Sequence, residues 1–266
     1  MLKQRIITAV LLAPLVLAII IYANDLYFAL FTGFLTLMIS YEWCQIVKNA
    51  KVNSLVISLI TAAAVVYINF ANNIEVDEER ILVAASVLWF ICLIWLFNPI
   101  KGKNKYLVKY ALGVGIFLLF GASLTSLHSH NEVGIKATLV LFALVWVADI
   151  GAYVAGKSFG KHKLAKQISP GKTIEGLIGG LIFTSILGYF VAQWLQYDWR
   201  LFVMAFPIIA VISGIGDLFA SLLKRHSNIK DSGFLLPGHG GFLDRFDSLI
   251  ATTPFYFFFM HYSHNL

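Results

Sequence analysis

The sequence predicts an all-α integral membrane protein with about nine transmembrane helices. Its mean hydropathy is +0.80, and 59% of its residues are hydrophobic whereas only 13% are charged. That composition lies outside the range of ordinary soluble domains. Apolar runs close to the roughly 20 residues that cross a bilayer as a helix recur along the chain. Lys and Arg are concentrated in alternate connections between these runs, a pattern typical of multispanning proteins.

The nine predicted helices follow the apolar runs in order: 6–23, 26–47, 55–71, 81–97, 107–127, 135–156, 174–197, 201–223 and 247–263. A cleaved signal peptide is the alternative for the first run, but Pro14 and the length of the run favour a retained helix. The third, fourth and ninth runs are short or interrupted. The count of nine is therefore good to one helix. We expect about five helices in an N-terminal part, 1–134, and the others in a C-terminal part, 135–266. The longest polar connections, 157–173 and 224–246, follow the sixth and eighth helices.

The basic residues predict the orientation in the membrane. Of the 20 Lys and Arg residues, 17 fall in one set of connections, and the other set holds only Arg80, Lys136 and Arg200. Because Lys and Arg accumulate on the cytoplasmic side, the N-terminus and both long connections are predicted to be cytoplasmic and the C-terminus external. The expected location is the cytoplasmic (inner) membrane. The net charge of +6 is mostly this topology signal, so no nucleic-acid partner is expected.

Three carboxylates lie inside or at the start of predicted transmembrane helices, where a charged group is energetically costly. Asp149 and Asp217 lie inside the cytoplasmic ends of the sixth and eighth predicted helices, and Glu175 opens the seventh. Ionisable groups at such positions mark functional sites by default, although each could simply pair with a nearby Lys. Asp217, Ser221 and Lys224 share one helix face. That stripe runs from a buried carboxylate to a cation, which suits an anionic substrate with a deeper metal ion.

The connection 157–173 ends in a stretch that suggests phosphate binding. Its "PGKT" is not a nucleotide P-loop, because Lys166 stands where that motif requires glycine and no strand is predicted before it. Ser169, Lys172 and Thr173 nevertheless directly precede the seventh helix, whose first N–H groups and dipole can hold a phosphate. The alternative is that Ser169 or Thr173 only caps the helix and that the lysines anchor it to anionic lipid.

The second polar connection carries carboxylates suited to a metal ion. Carboxylate oxygens are the ligands that Mg²⁺ prefers, and Asp244 would meet Asp217 if the connection folds back on the eighth helix. Asp247 is either a third ligand or a partner that orients Arg245. Arg245 is itself either a phosphate clamp or a carboxylate partner.

Residues 239–241 of the same connection suggest contact with a substrate. The pair Gly240 and Gly241 allows the backbone to approach a phosphate closely. His239 has no second ligand at zinc-binding spacing, so we interpret it as a hydrogen-bonding or substrate-contact residue.

Residues 221–248, "SLLKRHSNIKDSGFLLPGHGGFLDRFDS", closely resemble the signature of the phosphatidate cytidylyltransferases, or CDP-diacylglycerol synthases. The fixed positions of that signature are all present: Ser221, Lys224, Arg225, Lys230, Asp231, Pro237, His239, Gly240, Gly241, Asp244, Arg245 and Asp247. Residues 149–176 also look like this family, as do the length and the multispanning layout. The N-terminal third is supported by hydropathy alone.

The resemblance implies transfer of a cytidylyl group from CTP to phosphatidic acid, which gives CDP-diacylglycerol and pyrophosphate. It implies dependence on Mg²⁺, with Asp217 and Asp244 as metal ligands and a K⁺ ion beside them left open. Ser221, Lys224 and Arg225 are the further expected catalytic residues. The expected substrate contacts are Asp149, Ser169, Lys172, Glu175, Lys230, Asp231, His239, Gly240, Gly241 and Arg245. A homodimer is left open.

Two other classes share part of this pattern. A CTP-dependent polyprenol kinase would use the same nucleotide but transfer its terminal phosphate to a lipid alcohol. An ion-coupled transporter would also bury carboxylates, but we would not expect it to carry a glycine-rich cytoplasmic connection crowded with phosphate ligands.

Overall fold

The computed structural model describes residues 2–47, 53–70, 77–100, 102–129, 133–233, 235 and 240–264; for 2–9 and 264 it describes the backbone alone. These residues form nine α-helices and one short β-hairpin. In chain order the elements are α1 (Leu2–Tyr22), α2 (Asp25–Val47), α3 (Ser54–Phe70), α4 (Glu78–Phe97), α5 (Tyr106–His128), α6 (Gly134–Phe159), β1 (Lys163–Ala165), β2 (Ser169–Thr173), α7 (Ile174–Leu195), α8 (Trp199–His226) and α9 (Leu243–His264).

The prediction of an all-α multispanning protein is confirmed, but not the count of nine spans. Within the described ranges, α2 and α4 to α8 are long and apolar enough to cross a membrane. The apolar part of α1, Val10–Tyr22, and the whole of α3 are shorter. The ninth helix has 22 residues, so it is long enough, but it is not apolar enough to count as a span. It packs against α2, α4, α5, α6 and α8, so it can carry buried polar residues such as Ser248, Thr252 and Thr253.

The hairpin between α6 and α7 was not predicted. Its strands are antiparallel, with Lys163 opposite Thr173 and Ala165 opposite Ser169. The strands have only three and five residues, too few for a period-two pattern to be visible in the sequence. The hairpin brings Lys172 to the start of α7.

Small residues allow α6 and α7 to pack closely beside the hairpin. A Cβ atom at Gly179 would lie 2.2 Å from the Ala155 Cβ and 2.8 Å from the Gly151 carbonyl oxygen. Close approach through small residues is the usual basis of helix association in membranes. The helix that carries Asp149 is therefore held firmly against α7.

Aromatic packing fixes α8 against the N-terminal helices. The ring of Phe219 lies 6.1 Å from Trp43 of α2, 6.3 Å from Trp89 and 6.1 Å from Trp95 of α4. Phe219 is only two positions from Asp217, so this cluster also fixes the part of α8 that carries the carboxylate.

Several connections predicted to be cytoplasmic meet at one end of the bundle. Ser227 Oγ donates to the carbonyl oxygen of Ile46 at 2.6 Å, which joins the ends of α8 and α2. His226 contacts the carbonyl oxygen of Pro99 just after α4. The side of the membrane that this end faces remains a prediction. This prediction rests in part on basic residues whose side chains the structure does not describe: Lys3, Arg5, Lys48, Lys51 and Lys101.

Candidate active site

Lys172 links the hairpin to α8. Its Nζ lies 2.6 Å from Asp217 Oδ2, and both side chains are about a third exposed, at 29% and 31%. Asp217 therefore does pair with a lysine, which was the alternative to a functional role in the sequence analysis. This pairing also brings a cation and a carboxylate together at a point where both side chains remain partly exposed.

The capping interpretation holds for Thr173 but not for Ser169. Thr173 Oγ1 accepts a hydrogen bond from Gly176 N at 3.1 Å, so one N–H group of the first turn of α7 is already satisfied. Ser169 instead begins β2, where it pairs with Ala165. Its contact with a substrate remains a prediction.

Glu175 supports the hairpin in this structure. Its carboxylate accepts hydrogen bonds from Lys161 N at 3.1 Å and from His162 N at 3.2 Å. It also pairs with the His162 ring, Nδ1 to Oε1, at 2.6 Å. These contacts give Glu175 a structural role, and its predicted substrate contact is untested.

The predicted stripe on α8 is present, although its cation has a partner on another helix. Ser221 Oγ donates to Asp217 Oδ1 at 3.4 Å. Lys224 Nζ donates to Asp244 Oδ1 at 2.5 Å. The end of the connection 224–246 therefore folds back on α8, which was the condition for Asp244 to lie near Asp217.

Asp244 is held on both carboxylate oxygens. Lys224 occupies Oδ1, while Oδ2 accepts from Ser232 N at 2.7 Å and Gly241 N at 3.2 Å. Gly240 has φ of +83°, and a Cβ there would lie 2.7 Å from Asp244 Oδ2. Glycine at position 240 is thus required by a close approach of the backbone to this carboxylate, rather than by a phosphate alone.

Asp247 lies where α8 and α9 cross. A Cβ atom at Gly216 would lie 2.6 Å from the Asp247 carbonyl oxygen, which places Asp217 beside Asp247. Asp247 Oδ1 accepts from Ser248 N at 2.7 Å.

These acidic residues line one large cavity. Its volume is about 600 Å³, and Asp149, Asp217, Asp244 and Asp247 all contribute to its wall together with Arg245. The rest of the wall is mostly apolar and comes from α1, α2, α6 and α9, including Leu12, Val16, Phe31, Phe34, Phe142 and Trp146. The cavity is therefore charged at one end and apolar along the rest of its length.

A second cavity lies between α6, α7, α8 and the hairpin. It has a volume of about 360 Å³ and is lined by Asp149, Lys157, Lys172, Thr173 and Ser213, among others. Asp149 lines both cavities. Asp149 thus shares a cavity wall with Asp217, Asp244 and Asp247, and its contact with a substrate remains a prediction.

Three further predicted residues lie at or just after the end of α8. Arg225 Nε donates to the Ile168 carbonyl oxygen at 3.4 Å and its Nη1 to that of Ile229 at 3.5 Å, which ties the hairpin to the end of α8. Lys230 and Asp231 are exposed. His239 lies outside the described residues.

Glu42 of α2 was missed by the sequence analysis. It is 2% exposed, and its carboxylate accepts hydrogen bonds from Ser232, Phe242 and Leu243. The rule that singled out Asp149 and Asp217, a carboxylate inside an apolar run, also applies to Glu42. It was passed over because it stands alone, far from the polar connections.

Within the described part of the chain, no group of three or more His, Cys, Asp or Glu side chains is arranged to hold a metal ion. Asp217 and Asp244 instead face lysines. Their hard oxygen donors are nevertheless the type that Mg²⁺ uses, and Mg²⁺ usually takes only one or two protein carboxylates plus substrate phosphates. The donor set therefore fits a magnesium ion that arrives with a polyphosphate.

The sequence model of the cytidylyltransferase family matches residues 3–263. The chain belongs to this family. This cytidylyltransferase is 34% identical to the phosphatidate cytidylyltransferase of Haemophilus influenzae, over 97% of its own length and 98% of that protein. It is 34% identical to the enzyme of that name from Pseudomonas aeruginosa, over 96% and 95%. For the one from Staphylococcus aureus the identity is 32%, over 95% and 96%. The resemblance found in the sequence is thus confirmed over nearly the whole chain.

Proposed function

We propose that this cytidylyltransferase transfers the cytidylyl group of CTP to phosphatidic acid, with CDP-diacylglycerol and pyrophosphate as products. The observation that carries this proposal is the large cavity, which joins an apolar wall from α1, α2 and α6 to a charged end at Arg245 and four aspartates. A lipid phosphate has the same division into an apolar body and an anionic head. The three relatives, each named a phosphatidate cytidylyltransferase, support the same substrate.

The smaller cavity suits the nucleotide. Lys157 and Lys172 line it, and cations beside the hairpin can neutralise a triphosphate. Its contact with the larger cavity at Asp149 would allow the α-phosphate of CTP to meet the phosphate of the lipid. Holding two reactants in one geometry is itself a large part of catalysis.

The reaction requires little acid–base chemistry. A phosphate oxygen of phosphatidate, already anionic near neutral pH, attacks the α-phosphorus of CTP, and the bond from that phosphorus to the α,β-bridging oxygen breaks. Pyrophosphate leaves with the bonding electrons. The protein then has to position the two anions and offset their charge, as in other phosphoryl-type transfers.

Cations of the chain would offset that charge. Lys172 and Lys224 each have three N–H donors, so each can contact a phosphate while it keeps its carboxylate partner. Arg245 lines the large cavity, and a guanidinium can bind a phosphate through two donors. Arg225 is the further phosphate ligand proposed from the sequence, at the junction of the hairpin and α8.

Magnesium is part of the proposal. Asp217 and Asp244 would hold it, with Asp247 as a third ligand or as the partner that orients Arg245. A bound Mg²⁺ would supply charge neutralisation for the polyphosphate. Four aspartates around one cavity would otherwise repel CTP, which gives a physical reason for a divalent cation here.

The site is proposed to face the cytoplasm, where CTP and magnesium are available, in the cytoplasmic membrane of a bacterial cell. The test of function is purified protein with CTP and phosphatidate in mixed micelles, with and without Mg²⁺. Pyrophosphate release that requires both phosphatidate and Mg²⁺ would support the proposal. CDP release in the presence of a polyprenol, without a response to phosphatidate, would indicate a lipid kinase instead.

A further inference from the structure

Glu42 is a buried carboxylate whose hydrogen-bond partners all lie far away in sequence, near the catalytic aspartates. It accepts from Ser232 Oγ at 2.8 Å, from Phe242 N at 2.9 Å and from Leu243 N at 2.8 Å. Its exposed fraction is 2%. Glu42 belongs to α2, but its carboxylate binds residues that lie just before and at the start of α9.

Two of these bonds cap the start of α9. The first N–H groups of a helix have no partner inside the helix, and α9 begins at Leu243. Phe242, just before it, has no side-chain oxygen to act as a cap. Glu42 supplies the acceptor from another helix, and its negative charge is favoured at the positive end of the helix dipole.

The connection is shaped around this carboxylate. A Cβ atom at Gly233 would lie 2.6 Å from Glu42 Oε1, and one at Gly241 would lie 2.1 Å from Glu42 Oε2. Glycine at these two positions therefore lets the backbone close over the buried charge.

The donors used by Glu42 interleave with those used by Asp244. Ser232 donates its Oγ to Glu42 and its backbone N to Asp244 Oδ2 at 2.7 Å. Gly241 N donates to Asp244 Oδ2, and the next backbone N, that of Phe242, donates to Glu42. The position of Asp244 is thus fixed by a segment that Glu42 holds.

We propose that Glu42 is a positioning residue for the transfer reaction: it holds Ser232, Phe242 and Leu243 so that Asp244 faces the cavity. The inference rests on the proposed function. It also gives the N-terminal helices a part in catalysis, because α2, which lines the large cavity through Phe31 and Phe34, also positions Asp244.

The test is Glu42→Gln, with Ser40→Ala as the matched control. Gln keeps the shape but turns one acceptor oxygen into an NH₂ donor that opposes other donors. We expect kcat to fall by about 10- to 100-fold, as for other residues that orient a catalytic carboxylate from behind. Ser40→Ala removes a buried hydrogen bond within the same helix, from Ser40 Oγ to the Thr36 carbonyl oxygen. It should lower the melting temperature but keep kcat.

A double-mutant comparison separates positioning from general destabilisation. If Glu42 acts through Asp244, then Glu42→Gln should cause no further loss of kcat when Asp244 is already Asn, measured from residual transfer of labelled CTP. Losses that multiply, or full kcat in Glu42→Gln, would overturn the inference.

Ser232→Ala serves if Glu42→Gln does not fold. It removes the bridging hydroxyl but keeps the backbone bond to Asp244, so a smaller loss of kcat is expected, again with none added to Asp244→Asn. Unchanged kcat in Ser232→Ala would overturn the inference in that case. Failure of the wild-type protein to transfer label to phosphatidate would instead overturn the proposed function.

Discussion

Lys224 and Asp244 form a buried ion pair of 2.5 Å between the end of α8 and the first turn of α9. Their side chains are only 12% and 7% exposed. The pair joins the two halves of the sequence signature, and it holds a cation beside Asp244, which lines the large cavity. It is therefore both a structural link and part of the proposed catalytic site.

Replacing one partner of this pair should destabilise the protein. Lys224→Met leaves Asp244 charged and without its cation in a buried place, which typically costs about 3–5 kcal/mol. We expect a clear fall in the melting temperature in detergent. Adding Asp244→Asn should restore much of the stability but not the activity. A double variant as unstable as Lys224→Met would contradict this reading of the pair.

The aspartates proposed to bind magnesium can be tested by loss of charge. Asn has nearly the shape of Asp but no charge, so Asp217→Asn and Asp244→Asn should lower activity by at least about 100-fold, the scale for removing one electrostatic contact to a transition state. The measurement is the Mg²⁺ dependence of turnover in variants matched for folded yield.

Asp198→Asn is the control for these variants. Asp198 caps the start of α8, where it accepts from Arg200 N at 2.9 Å, and Asn can do the same. Its activity should be unchanged. If both active-site variants turned over normally with the same magnesium requirement, the metal assignment would be wrong.

Gly240 should tolerate no side chain. Its φ of +83° is in the region that favours glycine, and a Cβ would meet Asp244 Oδ2. Gly240→Ala should therefore lose roughly 1–2 kcal/mol from backbone strain alone and should also slow turnover. A Cβ at Gly171 would meet nothing within 4 Å, so Gly171→Ala should keep the melting temperature. Equal melting temperatures for the two variants would argue against the described backbone at Gly240.

The orientation that the basic residues predict can be tested with single cysteines at Lys163 and His264. In a background with Cys44 and Cys92 replaced, an impermeant thiol reagent should label the first site only from the cytoplasmic side and the second only from outside. The background protein without introduced cysteines gives the blank. Reaction of both sites from the same side would refute the topology.

Much of the fold was visible in the sequence because apolar runs and polar connections alternate regularly. The predicted helices overlap all nine helices of the described chain, and the face shared by Asp217, Ser221 and Lys224 follows directly from helical spacing. What sequence periodicity could not show is which side chains meet across helices. The pairs Lys172–Asp217 and Lys224–Asp244 depend on the fold-back of two connections.

The misses have physical causes as well. The strands of the hairpin are too short to show alternation. Nine transmembrane spans were expected, but α9 is too polar to count as one. It can be polar because other helices enclose it. Glu42 lies in a helix supported only by hydropathy, and its role became apparent once Phe242 and Leu243 were seen to donate to it.

The central claim, cytidylyl transfer to a lipid phosphate, is tested most directly by following two labels of CTP in the purified protein with phosphatidate and Mg²⁺. The account predicts that label in the α-phosphate enters the lipid fraction and label in the γ-phosphate leaves as pyrophosphate, in equal amounts. Label from the γ-phosphate in the lipid, with CDP as the other product, would contradict it.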